Sequence, residues 1–192
     1  MPLLPLVEHD SPTPDIVSKY IGFHIENAEY STEKQAVDML VTAFPRNDHL
    51  ESVLIKVNCL NSIYQTQIKN INLHHVSAEI ARCRNLDTLI ASGSSEAVNL
   101  ISKMNRNSII YSFATKYCHV HNRLIYPIFD KWAARTISHY LARPREKTSF
   151  TEALRSYQFY IAQISAFRQR FHLEEFSVED LDRYLWRRGQ EV

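Results

Sequence analysis

The chain has 192 residues, 45% of them apolar, with only three glycines and seven prolines; it can bury one substantial core, and it has too few turn residues for a loop-rich β fold. A formal net charge of +1 gives by itself no support to nucleic-acid binding, and no run of about 18 apolar residues offers a membrane span. Cys59, Cys83 and Cys118 are odd in number and widely spaced, which reads as free thiols in a reducing compartment.

Residues 1–13 are expected to form an irregular arm, because Pro2, Pro5, Pro12 and Pro14 interrupt regular structure. The opening is short and acidic after Val7, unlike a secretory or basic transit peptide, so an intracellular protein, cytoplasmic or nucleoid-associated and not secreted, is expected. A first helix is expected from Pro14 or Asp15 to about Asn27. Ser31 can cap a second, carrying Ala36, Val37, Leu40, Val41 and Phe44 ahead of Pro45. Asp48 and Glu51 have capping-box spacing for a third, through Leu50, Val53, Leu54, Val57, Leu60 and Ile63. Gln65 and Thr66 then make a polar helix end.

The stretch from Met104 to Arg135 organises the rest. Asn105 and Asn107 bracket a turn, since asparagine tolerates the left-handed region and also caps helices. Ile109, Ile110, Phe113, Tyr117 and Val120 recur at helical spacing, which predicts a helix over 108–121. Pro127 forces Tyr126 towards extended backbone. Asp130 then falls at the start of another helix, where the cap and the helix dipole favour a carboxylate. That helix continues through Ile137 and Leu141. Ser149 and Glu152 suggest the start of a long helix reaching Phe171, and Ser177 with Asp180 caps a last one that Gly189 ends.

Charge is unevenly distributed. Acids outnumber Lys19, Lys34 and Arg46 over residues 1–51, whereas over 101–147 Lys103, Arg106, Lys116, Arg123, Lys131, Arg135, Arg143, Arg145 and Lys147 face only Asp130 and Glu146. A basic segment around one acid suits attraction of phosphates. Neither the His74–His75 pair nor Cys118, His119 and His121 has a recognisable zinc spacing, so no metal and no cofactor are expected.

The order of helix (98–104), turn (Asn105-Arg106-Asn107), helix (108–121) and Tyr126-Pro127-Ile128-Phe129-Asp130 resembles the core of the helix-hairpin-helix DNA glycosylases, the superfamily of the 8-oxoguanine, adenine-mismatch and 3-methyladenine glycosylases and endonuclease III. Asn105 and Asn107 stand where that family has hairpin glycines, and Ile109 falls where its bifunctional members carry a nucleophilic lysine. The resemblance implies an all-α, two-lobed domain over residues 14–192, with a hairpin lobe at about 47–142 and the N- and C-terminal helices forming the other.

It further implies a monomer acting on duplex DNA with a flipped base, with no membrane partner. Asp130 would be the carboxylate that activates water without a Schiff base, and Lys116 a less favoured alternative amine. Gln65 would enter the base stack, with Tyr64 as a stacking partner; Thr66, Asn105, Arg106, Asn107, Lys131 and Arg135 would contact DNA; His119, His121, Tyr126, Phe129 and Trp132 would line a base pocket. The alternatives are a catalytically inactive DNA- or protein-binding module on the same fold, and an unrelated helical bundle in which Asp130 is only a cap.

Overall fold

The computed structural model describes residues 11–192, so most of the expected N-terminal arm lies outside the described residues. Among the described residues there are α-helices, one short 3-10 turn and no strand. The fold is all-α. Its helices are α1 (Pro14–Glu26), α2 (Ala28–Ala43), α3 (Leu50–Ile63), α4 (Asn70–Arg82), α5 (Leu86–Ala91), α6 (Ser95–Ser102), α7 (Tyr111–His121), α8 (Lys131–Leu141), α9 (Lys147–Ala153), α10 (Tyr157–Arg170) and α11 (Val178–Arg188). None is long and apolar enough to cross a membrane.

Several helix starts follow the capping chemistry of the sequence. Pro14 opens α1 after Thr13, whose hydroxyl accepts the Ile16 N–H. Ser177 opens α11 by accepting the Asp180 N–H at 3.1 Å while donating to the Asp180 carboxylate at 2.6 Å. Others differ from expectation. Asn27 caps α2 with two N–H bonds, 3.0 and 3.2 Å, so Ser31 lies inside the helix. Asp48 pairs with Arg46 at 2.7 Å instead of capping, and α3 starts after His49 with no side-chain cap. The long helix expected from Ser149 is two helices, α9 and α10, because the chain turns at Leu154 to Ser156 to bury Leu154.

All the helices share one continuous apolar core, and two sets of neighbours within it meet where α1 packs on α2 and α10 on α6. In one, α3 packs on α4, α6 on α7, and α2 and α3 both reach α7. In the other, α11 lies between α1 and α8, with α10 against α8. Tyr20 of α1 meets the Tyr184 ring edge-on at 5.4 Å, and its hydroxyl donates to Glu191. Gly189 is needed for close approach, since a Cβ there would lie 2.1 Å from the Trp132 carbonyl oxygen. Arg123, just after α7, ties α2 to α11 by bonding Asp38 at 2.6 Å and Glu179 at 2.9 Å. The crossing segment 126–129 runs between these groups.

Candidate active site

An extended segment without a partner strand must find other partners for its backbone. In residues 126–129 side chains supply nearly all of them. His119 Nδ1 donates to the Tyr126 carbonyl at 2.7 Å, Tyr157 to the Pro127 carbonyl at 3.0 Å, and Tyr160 to the Ile128 carbonyl at 2.7 Å. Thr115 Oγ1 accepts the Phe129 N–H at 3.1 Å, and both oxygens of Asp182 lie 3.0–3.1 Å from the Ile128 N–H. Three helices, α7, α10 and α11, thus clamp the segment that leads into Asp130. Burial pushes the His119 pKa down to about 4. The ring is therefore neutral near pH 7, with its proton on the nitrogen facing the carbonyl.

Asp130 is the N-cap of α8. Its Oδ1 accepts the Trp132 and Ala133 N–H groups at 2.8 and 2.9 Å. Oδ2 accepts no hydrogen bond among the described residues, and the side chain is only partly buried. Half of the carboxylate therefore serves the fold and half is uncommitted. The amine nearest in consequence is Lys116 of α7, which is 9% exposed. Burial lowers its pKa, and the charge of Asp130 acts in the opposite direction. Its Nζ lies 5.5 Å from the centre of the Tyr64 ring, and no hydrogen bond or ion pair reaches it among the described residues. Burial pushes the Tyr64 phenol up to about 12.

Tyr64 opens the loop that carries Gln65, the expected wedge, and Thr66. Gln65 and Gln67 both adopt left-handed backbone, φ +48° and +62°, and both are exposed. Asn61 enforces this shape. Its Oδ1 accepts from Thr66 Oγ1 at 2.7 Å and from the Ile68 N–H at 2.9 Å, while its Nδ2 donates to the Ile68 carbonyl at 3.1 Å. Thr66 is thereby engaged within its own loop. Non-glycine residues in this region store strain, and paired outliers at one exposed tip motivate a functional reading of the loop.

The 103–110 turn differs from the expected tight hairpin. None of Asn105, Arg106 and Asn107 has positive φ, and α7 begins at Tyr111, three residues later than expected from Asn107 as a cap. The turn closes through the Ile110 N–H on the Ser102 carbonyl at 2.9 Å and Asn105 Nδ2 on Ser108 Oγ at 2.7 Å. Arg106 and Asn107 are exposed at its tip, as are Lys131 and Arg135 on α8.

The expected base-pocket residues do not form one group. His119 and Tyr126 are internal, with the Tyr126 hydroxyl spent on the Leu89 and Ser94 carbonyls, both at 3.0 Å. Phe129 packs on Tyr111 and Tyr160, with ring centres 4.5 and 5.3 Å apart. His121 lies elsewhere, with Nε2 3.3 Å from Nζ of Lys56 and its ring on Tyr117. Trp132 remains partly exposed beneath Lys131, whose Nζ is 4.3 Å from the ring centre. The clamp residues Thr115, Tyr157, Tyr160 and Asp182 are absent from a motif-based reading. Their signal was positional: Asp182 sits beside inward-facing Leu181 and three residues before Leu185, on a face where an unpaired carboxylate is costly.

A second polar cluster lies behind α3. The fully buried Lys56 donates to the Arg46 carbonyl at 2.8 Å and to Asn47 Oδ1, which also accepts from the Tyr117 hydroxyl at 2.6 Å. Asp87 accepts from the Asn47 side chain at 2.6 Å. A cleft of about 480 Å³ opens beside it, lined in part by Arg46, Arg82 and Arg84.

Comparison with known proteins places these elements in a family. The HI_0787_N family, described as an N-terminal domain, matches residues 16–125, which carry α1 to α7, Lys116 and the strained loop, and stop just short of the acid segment. A protein of Haemophilus influenzae described as uncharacterized is 31% identical over 146 residues, 74% of this chain and 69% of its own length. No solved structure matches. The chain belongs to the HI_0787_N N-terminal domain family.

Proposed function

We propose that the protein is a DNA glycosylase-like enzyme that binds duplex DNA around an extruded base and hydrolyses the N-glycosidic bond of a modified or mispaired base. The observation that carries this reading is the clamped segment that delivers Asp130 with one oxygen committed to α8 and the other uncommitted, within the electrostatic reach of Lys116. The succession of α6, turn, α7, crossing segment and capping Asp supports it by likeness to the helix-hairpin-helix glycosylases. A carboxylate fixed in advance stabilises the positive charge that develops on the sugar as the base departs. Water then bonds to the anomeric carbon, giving its proton towards Asp130. Gln65 on its strained loop would take the space of the extruded nucleotide. Arg106, Lys131 and Arg135, with the Asn105–Asn107 turn, would hold phosphates.

Lys116 favours a second reading. An amine that is nearly buried, lowered in pKa and without an acceptor can attack the same carbon, expel the base and form a Schiff base, after which elimination breaks the strand. Incubation with duplexes bearing a panel of damaged and modified bases, scored with and without hot alkali, separates the cases. Alkali-dependent breaks lost in Asp130→Asn are expected for hydrolysis. Breaks without alkali, trapped by borohydride and lost in Lys116→Gln, would assign the amine. Salt-dependent DNA binding with no abasic product on any substrate would leave the non-catalytic binding module.

A further inference from the structure

The C-terminal helix reaches the acid segment with one carboxyl group. Asp182 of α11 is 8% exposed, and its two oxygens share the Ile128 N–H, two residues before Asp130. The other N–H groups of the segment are held from α7 and its end, by Thr115 and by the Asn122 carbonyl. Asp182 is thus where the second helical group grips a backbone donor of the segment. We propose that Asp182 is the positioning residue of this site: by holding the Ile128 N–H from α11, it fixes where the segment enters α8 and hence where the Asp130 carboxylate stands.

The surroundings of Asp182 give this role a signature. Asp130 stands at the start of α8, His119 on α7, Tyr157 and Tyr160 on α10 and Tyr64 at the end of α3, with Glu179 and Arg183 on its own helix. His119 Nδ1 is 3.5 Å from Oδ2 but gives its proton to the Tyr126 carbonyl, so it does not neutralise the acid. Burial above all holds the Asp182 pKa well above the usual carboxylate range; the Ile128 N–H opposes this, and Asp130 and Glu179 add to it. A neutral carboxyl still accepts the Ile128 N–H. Asparagine, a neutral acceptor of the same size, therefore stands in for it.

The inference rests on the excision chemistry above for its kinetic test, and on backbone protection alone for its structural one. In the full-length protein, Asp182→Ala should accelerate Ile128 amide exchange by at least about tenfold. It should also slow single-turnover excision by roughly ten- to a hundredfold, with duplex affinity kept within about twofold, as expected for a misplaced catalytic group. Asp182→Asn keeps an acceptor of the same size for the Ile128 N–H. It should retain Ile128 protection and the excision rate. Asp182→Asn also guards against a fold lost in the alanine variant. The proposal is overturned if Asp182→Ala exchanges Ile128 as slowly as wild type, or if Asp182→Asn keeps Ile128 protected and yet loses the rate as fully as the alanine variant. A wild type that excises nothing removes the enzyme reading only, and Ile128 exchange then decides the positioning role.

Discussion

Single residues here carry two duties, and substitution can separate them. Asp130 caps α8 and presents a free oxygen, while asparagine caps as well as aspartate. Asp130→Asn should therefore melt within about 0.5 kcal/mol of wild type and yet lose excision, whereas Asp130→Ala should lose about 1 kcal/mol with the cap. Comparing thermal melts with product yields tests the division; an asparagine variant that still excises would reduce Asp130 to a cap. Lys56 is a purely structural counterpart. Burial holds its pKa down at about 8, below the ordinary lysine value of 10.5, with Asp87 and Asp48 opposing. Between about pH 8 and 10.5 the unfolded chain thus binds more protons than the native one at this site, so stability should rise with pH across that window. Below pH 8 the cost of the buried charge is fully present. The stability of wild type relative to Lys56→Met should accordingly climb from pH 8 upward in denaturant titrations; a flat difference would contradict the assigned burial.

At the scale of elements, the loop after α3 is the clearest case of local cost. Two glutamines with positive φ cost on the order of 1–2 kcal/mol each relative to relaxed backbone. Gln67→Gly should therefore hold or raise thermal stability, while Gln65→Gly should do the same and weaken binding to a duplex with an abasic analogue. Stability and DNA affinity falling together would mean that the loop shape serves packing alone. Helical periodicity made α1, α3, α8 and α11 legible in the sequence, and Pro127 with Asp130 made the crossing segment and its cap legible. Other boundaries were obscured by competition between equally good caps: Asn27 displaced Ser31, and Asp48 was drawn to Arg46. The α4 and α5 helices carried no signal that bore on the motif. The clamp was illegible because its donors are hydroxyls of Tyr157 and Tyr160 on an apolar stripe, whose targets are backbone carbonyls far away in sequence.

The whole molecule has almost no net charge, so any affinity for DNA must come from where the charge sits. Acids crowd the first third of the chain, and part of that charge is consumed internally where Lys34 and Arg123 bind Asp38. Lys103 and Arg106 at the turn and Lys131 and Arg135 on α8 are exposed and pair with no carboxylate among the described residues. Each such cation that meets a phosphate releases a counterion and steepens the salt dependence by about 0.9 in log–log slope. Four contacts would give a slope of roughly −3 to −4. Arg106→Ala should make it shallower by about 1. Lys19→Ala, on the exposed face of α1 in the acidic third, should leave it unchanged. Fluorescence anisotropy with a labelled duplex across a salt series reads all three slopes. A wild-type slope near zero would show that the basic segment holds no phosphate, and with it would go the duplex as the partner of the Asp130 site.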